Sequence, residues 1–215
     1  MSTVLDSIIS GVLEDLAVRK KVRPDIEKYL IEAGDPLDVR GALLAKDISI
    51  IAEVKRSSPS KGELAKIEDP IRLAKQYEDA GAAVVSVLTE ERRFKGSISD
   101  FEKIREHLRI PMLRKDFIVD EFQIKETRAI GADLQLLIVA ALSKTELTDF
   151  YQMGSELGLA TLFEVHDHAE LEIAMDLSPQ IVGVNSRNLK TLKVDVNNFV
   201  QLLPEIPNTV IKVAE

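Results

Sequence analysis

Apolar residues recur at three- and four-residue spacings through the opening stretch, where Val4, Leu5, Ile8, Ile9, Val12, Leu13 and Leu16 share one side of a helix. That stripe predicts an amphipathic element closed by the basic run Arg19-Lys20-Lys21. Pro24, at a first-turn position, predicts a second short helix. Asp35-Pro36 predicts an N-cap and first-turn pair for a third helix that reaches about Ala45. From Ile48 the pattern changes. Short apolar runs cover 48–55, 82–88, 110–115, 132–139, 159–165, 180–185 and 209–214, and predict seven buried strands. Helical segments separate them. Asp69-Pro70 opens the clearest one and Gly81 closes it, while others start near Ser97, Asp120, Ser143, Asp167 and Asp195.

The runs start roughly 20 to 35 residues apart, about the length of a strand plus a helix. Such units in series imply a parallel sheet, because each strand needs a crossover back to the same edge. Both an open doubly wound sheet and a closed (β/α)8 barrel fit that order. An open sheet of the dinucleotide-binding kind carries Gly-x-Gly-x-x-Gly after its first strand, and Ser57-Ser58-Pro59-Ser60-Lys61-Gly62 does not supply it. Polar residues at the ends of several strands favour the barrel, whose site is assembled from all the C-terminal strand ends. The expected fold is therefore α/β: a (β/α)8 TIM barrel with an N-terminal helical extension over residues 1–47. Barrel units one to seven occupy 48–215, and the eighth βα unit is lacking.

Composition narrows the chemistry. With 45% hydrophobic residues the 215-residue chain can bury a core without disulfides or a structural metal. It has no cysteine, which excludes thiolate metal sites and a cysteine nucleophile. The 28 basic and 36 acidic residues give a net charge of -8, which argues against nonspecific binding to nucleic acid or an anionic membrane. An anionic ligand must then be captured by a local positive cluster. The longest apolar run, Leu136 to Leu142, is far short of the roughly 20 residues that span a bilayer. Asp6, Glu14 and Asp15 near the start do not suit a signal peptide, so a cytoplasmic location is expected.

Residues two apart in a strand point the same way, so Glu53 and Lys55 share a face, as do Lys115 and Phe117, and Asn185 and Arg187. Glu164 ends the fifth run. In a closed sheet these groups converge on one mouth; surface charge at strand termini is the plain alternative. That alternative is weaker for Glu53 and Lys55, because an ionised group inside an apolar run is costly unless paired or functional. The loop from Arg56 to Gly62 offers hydroxyls and cations suited to an anion, although Ser-Pro-Ser is ordinary loop chemistry as well. Gly96-Ser97 reads as a helix cap. Glu164-x-His166-x-His168 has metal-like spacing, but a helix capped by Asp167 would part the two imidazoles, so no metal is expected. Gln135, between Leu134 and Leu136, is expected to face the helix layer as a buried, hydrogen-bonded group.

Five stretches in order resemble the indole-3-glycerol-phosphate synthase family. They are 51–62 (IAEVKRSSPSKG), 86–90 with 94–97 (SVLTE, FKGS), 113–117 (LRKDF), 163–167 (FEVHD) and 183–189 (GVNSRNL). The resemblance covers essentially the whole chain, helical extension included. It implies ring closure of 1-(2-carboxyphenylamino)-1-deoxyribulose 5-phosphate to indole-3-glycerol phosphate, with loss of carbon dioxide and water and no cofactor. It implies Lys115 as the general acid that protonates the ribulose carbonyl. Lys55 and Arg187 would face the substrate carboxylate, with Lys55 also an acid for the later loss of hydroxide. Glu164 would act as base or stabilise the iminium, and Glu53 would position Lys55 and Lys115. Asn185 and Glu215 would bind sugar hydroxyls, and Ser58 would hold the substrate near its phosphate. Phe94, Phe117, Leu136 and Leu189 would wall the aromatic pocket.

Two departures qualify this. Ser186 stands where the family often has asparagine. Glu215 is the last residue, whereas the family continues through a Glu-Ser-Gly segment and an eighth strand whose amides grip the phosphate. The alternative expectation is a noncatalytic or severely impaired barrel fragment, prone to self-association through open sheet edges. A related isomerase barrel that uses a cysteine base is disfavoured by the lack of cysteine, and a metal-dependent hydrolase would rest on His166 and His168 alone.

Overall fold

A computed structural model describes residues 3–189 and 191–215. Three helices precede the first strand: α1 (Val4–Val22), α2 (Ile26–Glu32) and α3 (Val39–Leu44). Thr3 and Asp6 form a capping box at the start of α1, and Arg19, Lys20 and Lys21 occupy its last turn, where cations complement the helix dipole. The third helix begins later than Asp35-Pro36 indicates. Asp38 is its cap, accepting from the Gly41 N–H at 2.8 Å. The preceding segment is held instead by the Leu37 N–H, which donates to Asp133 Oδ1 at 2.7 Å, and a residue before proline disfavours helical backbone. The second helix likewise takes Asp25 as its N-cap, so Pro24 lies just outside it.

Seven strands follow: β1 (Ile51–Val54), β2 (Val84–Leu88), β3 (Met112–Lys115), β4 (Leu134–Ile138), β5 (Ala160–Val165), β6 (Ile181–Val184) and β7 (Ile211–Ala214). All neighbouring pairs are parallel and lie in chain order, β1 through β7. Between them run α4 (Pro70–Asp79), α5 (Ile98–Arg105), α6 (Glu121–Ala129), α7 (Lys144–Glu156), α8 (His168–Met175) and α9 (Asn197–Leu202). Asp69, Ser97, Asp120, Ser143 and Asp167 each accept a first-turn N–H as the sequence suggests. Gly81 takes φ +88°, left-handed backbone that glycine adopts freely, where the chain leaves α4 for β2. The last helix starts after Val196, with Asp195 Oδ1 accepting from the Asn197 N–H. This is a curled parallel sheet with seven units of a TIM-type barrel.

The five strands β2 to β6 are buried on both faces and read as near-continuous apolar runs, whereas β1 and β7 at the ends of the sheet are only part-buried. The first is shorter than its run. Ile48 and Ile50 are exposed, and Ile50 adds only its carbonyl to the sheet, accepting from Ala83 and Val84. Outward strand residues such as Val85, Phe163 and Val182 pack with Phe101 of α5 and Ile124 of α6 to make the core between sheet and helices. Inward residues Leu113, Leu134, Leu136, Leu162 and Ile181 form a second cluster, joined by Leu5, Ile8 and Val12 of α1 and Val39 and Leu43 of α3. The extension thus shares the barrel's inner core. A small antiparallel pairing of Ser57–Ser58 with Gly62–Glu63, absent from the sequence reading, folds the loop after β1. No described helix is long and apolar enough to cross a membrane.

Candidate active site

A cavity of ≈ 900 Å³ opens at the C-terminal ends of the strands. Parallel strands put their chain ends on one side, so side chains distant in sequence meet there. Glu53 and Lys55 from β1, Lys115 and Phe117 from β3, Glu164 from β5, and Asn185 and Arg187 after β6 all line it. Ser58, Phe94, Leu136, Leu189 and Glu215 line it too, so all twelve residues singled out from the sequence come together.

Lys115 sits at the centre. Its Nζ donates to Glu164 Oε2 at 2.9 Å and pairs with the Glu215 carboxylate. Desolvation alone would lower its pKa, but the charges of Glu164, Glu215 and Glu53 outweigh burial and raise it above the ordinary lysine value. Burial by itself would raise Glu164, yet Lys115 and His166 hold its carboxyl well below the usual range. Glu215 goes the other way. Desolvation, with the negative charges of Glu164 and Glu53, pushes it up despite Lys115. Its Oε1 is buried against Gly183 without a hydrogen-bond partner among the described residues.

Around this centre the positioning contacts are short. Glu53 pairs with Lys55. Asn185 Nδ2 donates to Glu164 Oε1 at 2.9 Å, and the Arg187 N–H donates to Asn185 Oδ1 at 2.9 Å. Arg187 Nη1 donates to Ser60 Oγ at 2.9 Å, joining the β6 end to the loop after β1. Ser186 donates both its N–H and its hydroxyl to the Glu215 carbonyl, at 2.9 and 3.0 Å. The rings of Phe94 and Phe117 lie 6.0 Å apart at 41°, forming one apolar wall. Gly183 makes room for Glu215, since a Cβ there would collide with its carboxylate.

Some candidates go elsewhere. Arg56 turns from the cavity to pair with Asp100 at 2.6 Å, which leaves Ser58, Pro59, Ser60 and Lys61 as the loop's contribution to the lining. The two imidazoles part: His166 lies against Glu164 and Glu170, His168 against Glu205. Among the described residues no group of three or more histidine or acidic side chains is arranged to hold a metal. Gln135 faces the helix layer, donating to Phe150 O and Thr161 Oγ1.

The sequence reading missed the groups behind the lining. Arg114 is fully buried and donates to Thr89 Oγ1 (3.1 Å), Gln123 O (3.2 Å), Thr127 Oγ1 (3.2 Å), Asp116 Oδ2 (3.0 Å) and Glu126 Oε2 (2.8 Å). Glu126 is also held by Arg19 of α1 at 3.1 Å. Glu90, buried, accepts the N–H groups of Arg93 and Phe94 and so fixes the loop that carries the aromatic wall. Alternation along β3 was the available signal: a charge between two inward residues must point to the helices and find partners there.

The family profile described as Indole-3-glycerol phosphate synthase matches residues 5–215. A relative of that name from Mycobacterium sp. (strain KMS) is 50% identical over 216 residues, spanning 100% of this chain and 79% of the relative. Another, from Streptomyces griseus, is 51% identical over 215 residues, covering 99% of this chain and 80% of its own. Among solved structures, 3-keto-L-gulonate-6-phosphate decarboxylase from Vibrio cholerae aligns with a TM-score of 0.57 at 11% identity, covering 77% of each chain. At that identity the likeness concerns the fold alone.

Proposed function

The chain belongs to the indole-3-glycerol phosphate synthase family, and from that premise we propose how its own residues carry the ring closure. The reaction is that of a carboxy-lyase of tryptophan biosynthesis, acting on a phosphorylated small molecule. It supersedes the reading of a noncatalytic fragment, because the match runs through residues 5–215 rather than through one motif.

Lys115 is the general acid. The three carboxylates around it keep it cationic at neutral pH, and it gives up its proton to the ribulose carbonyl oxygen as the aromatic carbon attacks and negative charge develops there. Carbon dioxide then leaves, and Lys55, oriented by Glu53, protonates the departing hydroxide. Glu164, anionic and held by Asn185, stabilises the iminium that ring closure creates and loss of carbon dioxide discharges, or takes the ring proton whose removal, with departure of the hydroxide as water, completes the indole. Arg187 and Lys55 receive the substrate carboxylate. Glu215 and Asn185 bind sugar hydroxyls, and Ser58 holds the substrate near its phosphate. Phe94, Phe117, Leu136 and Leu189 enclose the ring.

The observation that supports these roles is the ammonium of Lys115 set between the carboxylates of buried Glu164 and part-buried Glu215 in a cavity that also takes Glu53, Lys55, Asn185 and Arg187. A cytoplasmic location belongs to the same proposal, as a biosynthetic reaction on a phosphorylated substrate suits it. The test is formation of the fluorescent indole product from the deoxyribulose phosphate substrate. Turnover abolished by Lys115→Ala supports the assignment; product formation that is indifferent to every lining residue overturns it.

A further inference from the structure

His166 takes no part in the roles above and does not line the cavity. It is nonetheless buried directly behind Glu164, its side chain 3% exposed. Its Nε2 lies 3.3 Å from Glu164 Oε1, and its Nδ1 lies 2.9 Å from Glu170 Oε2. Glu170 also accepts the His166 backbone N–H at 2.8 Å and is itself fixed in the first turn of α8, where its N–H donates to Asp167 Oδ1. From α9, Asn198 Nδ2 donates to the His166 carbonyl at 3.2 Å. Glu170 therefore holds both the ring Nδ1 and the backbone N–H, and Asn198 holds the backbone carbonyl.

Carboxylates are acceptors only, and a neutral imidazole has one donor nitrogen. Here Nδ1 meets Glu170 at hydrogen-bond distance while Nε2 lies 3.3 Å from Glu164 without a hydrogen bond among the described residues, and negative charge on both sides of the ring favours the imidazolium. We propose that His166, held as imidazolium between Glu164 and Glu170, is a positioning residue that fixes the orientation and negative charge of Glu164 for the reaction. The proposal rests on the role given to Glu164 above. Glu164 then accepts from Lys115 on Oε2 and from Asn185 on Oε1, with the His166 ring a charge contact 3.3 Å behind Oε1. Without that third contact the carboxylate gains freedom to turn from the iminium, and part of its opposition to protonation is lost.

The charged groups facing the ring are Glu164 from β5 and Glu170 from α8; α9 contributes the neutral amide of Asn198. Burial lowers the affinity of the ring for its proton, but the two carboxylates outweigh it and raise the pKa to about 9. The proton is therefore present through the neutral range and leaves only above it. In the wild-type protein, turnover should fall on an alkaline limb near pH 9, and the C2–H resonance of His166 should titrate there.

The test compares His166→Gln, Glu170→Gln and Glu164→Gln by pH-rate profile, with urea midpoints to monitor folding. His166→Gln should lower kcat about tenfold, as loss of an outer partner does for metal ligands, leave KM within about twofold, and lack the alkaline limb. Glu170→Gln keeps the ring but removes one of its carboxylates, so the limb should move to lower pH; this variant serves if His166→Gln fails to fold. If Glu164→Gln is crippled while His166→Gln keeps wild-type kcat and its limb, the positioning role is overturned and the role of Glu164 stands. If Glu164→Gln itself turns over normally, the role of Glu164 falls and the proposal falls with it.

Discussion

Replacing Arg114 with methionine probes the charge network behind the general acid, because Arg114 precedes Lys115 on β3 and points to the opposite face. The guanidinium is wholly buried and neutralises two carboxylates that are themselves almost entirely buried, Asp116 and Glu126. Burial disfavours its charge, yet those two carboxylates outweigh the penalty and raise its pKa. Removing one partner of a buried pair costs about 3–5 kcal/mol, mostly as the charge left behind. Both carboxylates keep some support here. Asp116 retains the Phe117 N–H at 2.8 Å and the Thr89 hydroxyl at 2.6 Å, and Glu126 retains Arg19. We therefore place Arg114→Met at the lower end, about 3 kcal/mol. The triple change with Asp116→Asn and Glu126→Gln removes the stranded charges and should recover at least about 1 kcal/mol of it. Urea unfolding reads both, as a shift in midpoint at constant slope. A loss below about 1 kcal/mol for the single change, or a triple variant no more stable than the single, would refute the reasoning.

Glu53→Gln and Glu164→Gln should each lower kcat more than they raise KM, since a carboxylate that orients a lysine or offsets cationic charge acts mainly in the transition state; a change confined to KM would make that residue a binding group. Gly183→Ala places a methyl group against the Glu215 carboxylate and 3.2 Å from Leu162 Cδ1, which should cost about 1–3 kcal/mol of stability and reduce turnover about 10- to 100-fold by displacing Glu215 from Lys115. Wild-type turnover in a folded Gly183→Ala protein would mean that the Glu215–Lys115 contact is dispensable.

What the sequence makes legible follows the range of the forces involved. Asp69, Ser97, Asp120, Ser143 and Asp167 announce their helices because a cap is satisfied within three residues of itself. Strands β2 to β6 appear because burial on both faces demands apolar runs. The loop before α3 misleads for the converse reason: Asp35-Pro36 has good local chemistry, but the Leu37–Asp133 hydrogen bond across 96 residues decides where the helix starts. The inward groups Lys55, Lys115, Glu164 and Asn185 stand out as polar residues at strand ends. Their support does not. Nothing local to His166 says that its ring meets Glu164 rather than His168, and nothing local to Arg114 names Glu126. Those pairings exist only once β5, α8 and α6 are packed. The hairpin of Ser57–Ser58 with Gly62–Glu63 was hidden in a serine- and proline-containing stretch that suits many loops equally well.

The most direct test of the central claim is the turnover of Lys115→Ala, measured as indole product formed per enzyme under saturating substrate. As the general acid at the centre of the carboxylate cluster, Lys115 should account for at least about a hundredfold in kcat. The variant should therefore fall by that factor or more, with the urea midpoint still showing a folded protein. A folded Lys115→Ala variant with turnover near that of the wild type would contradict the account.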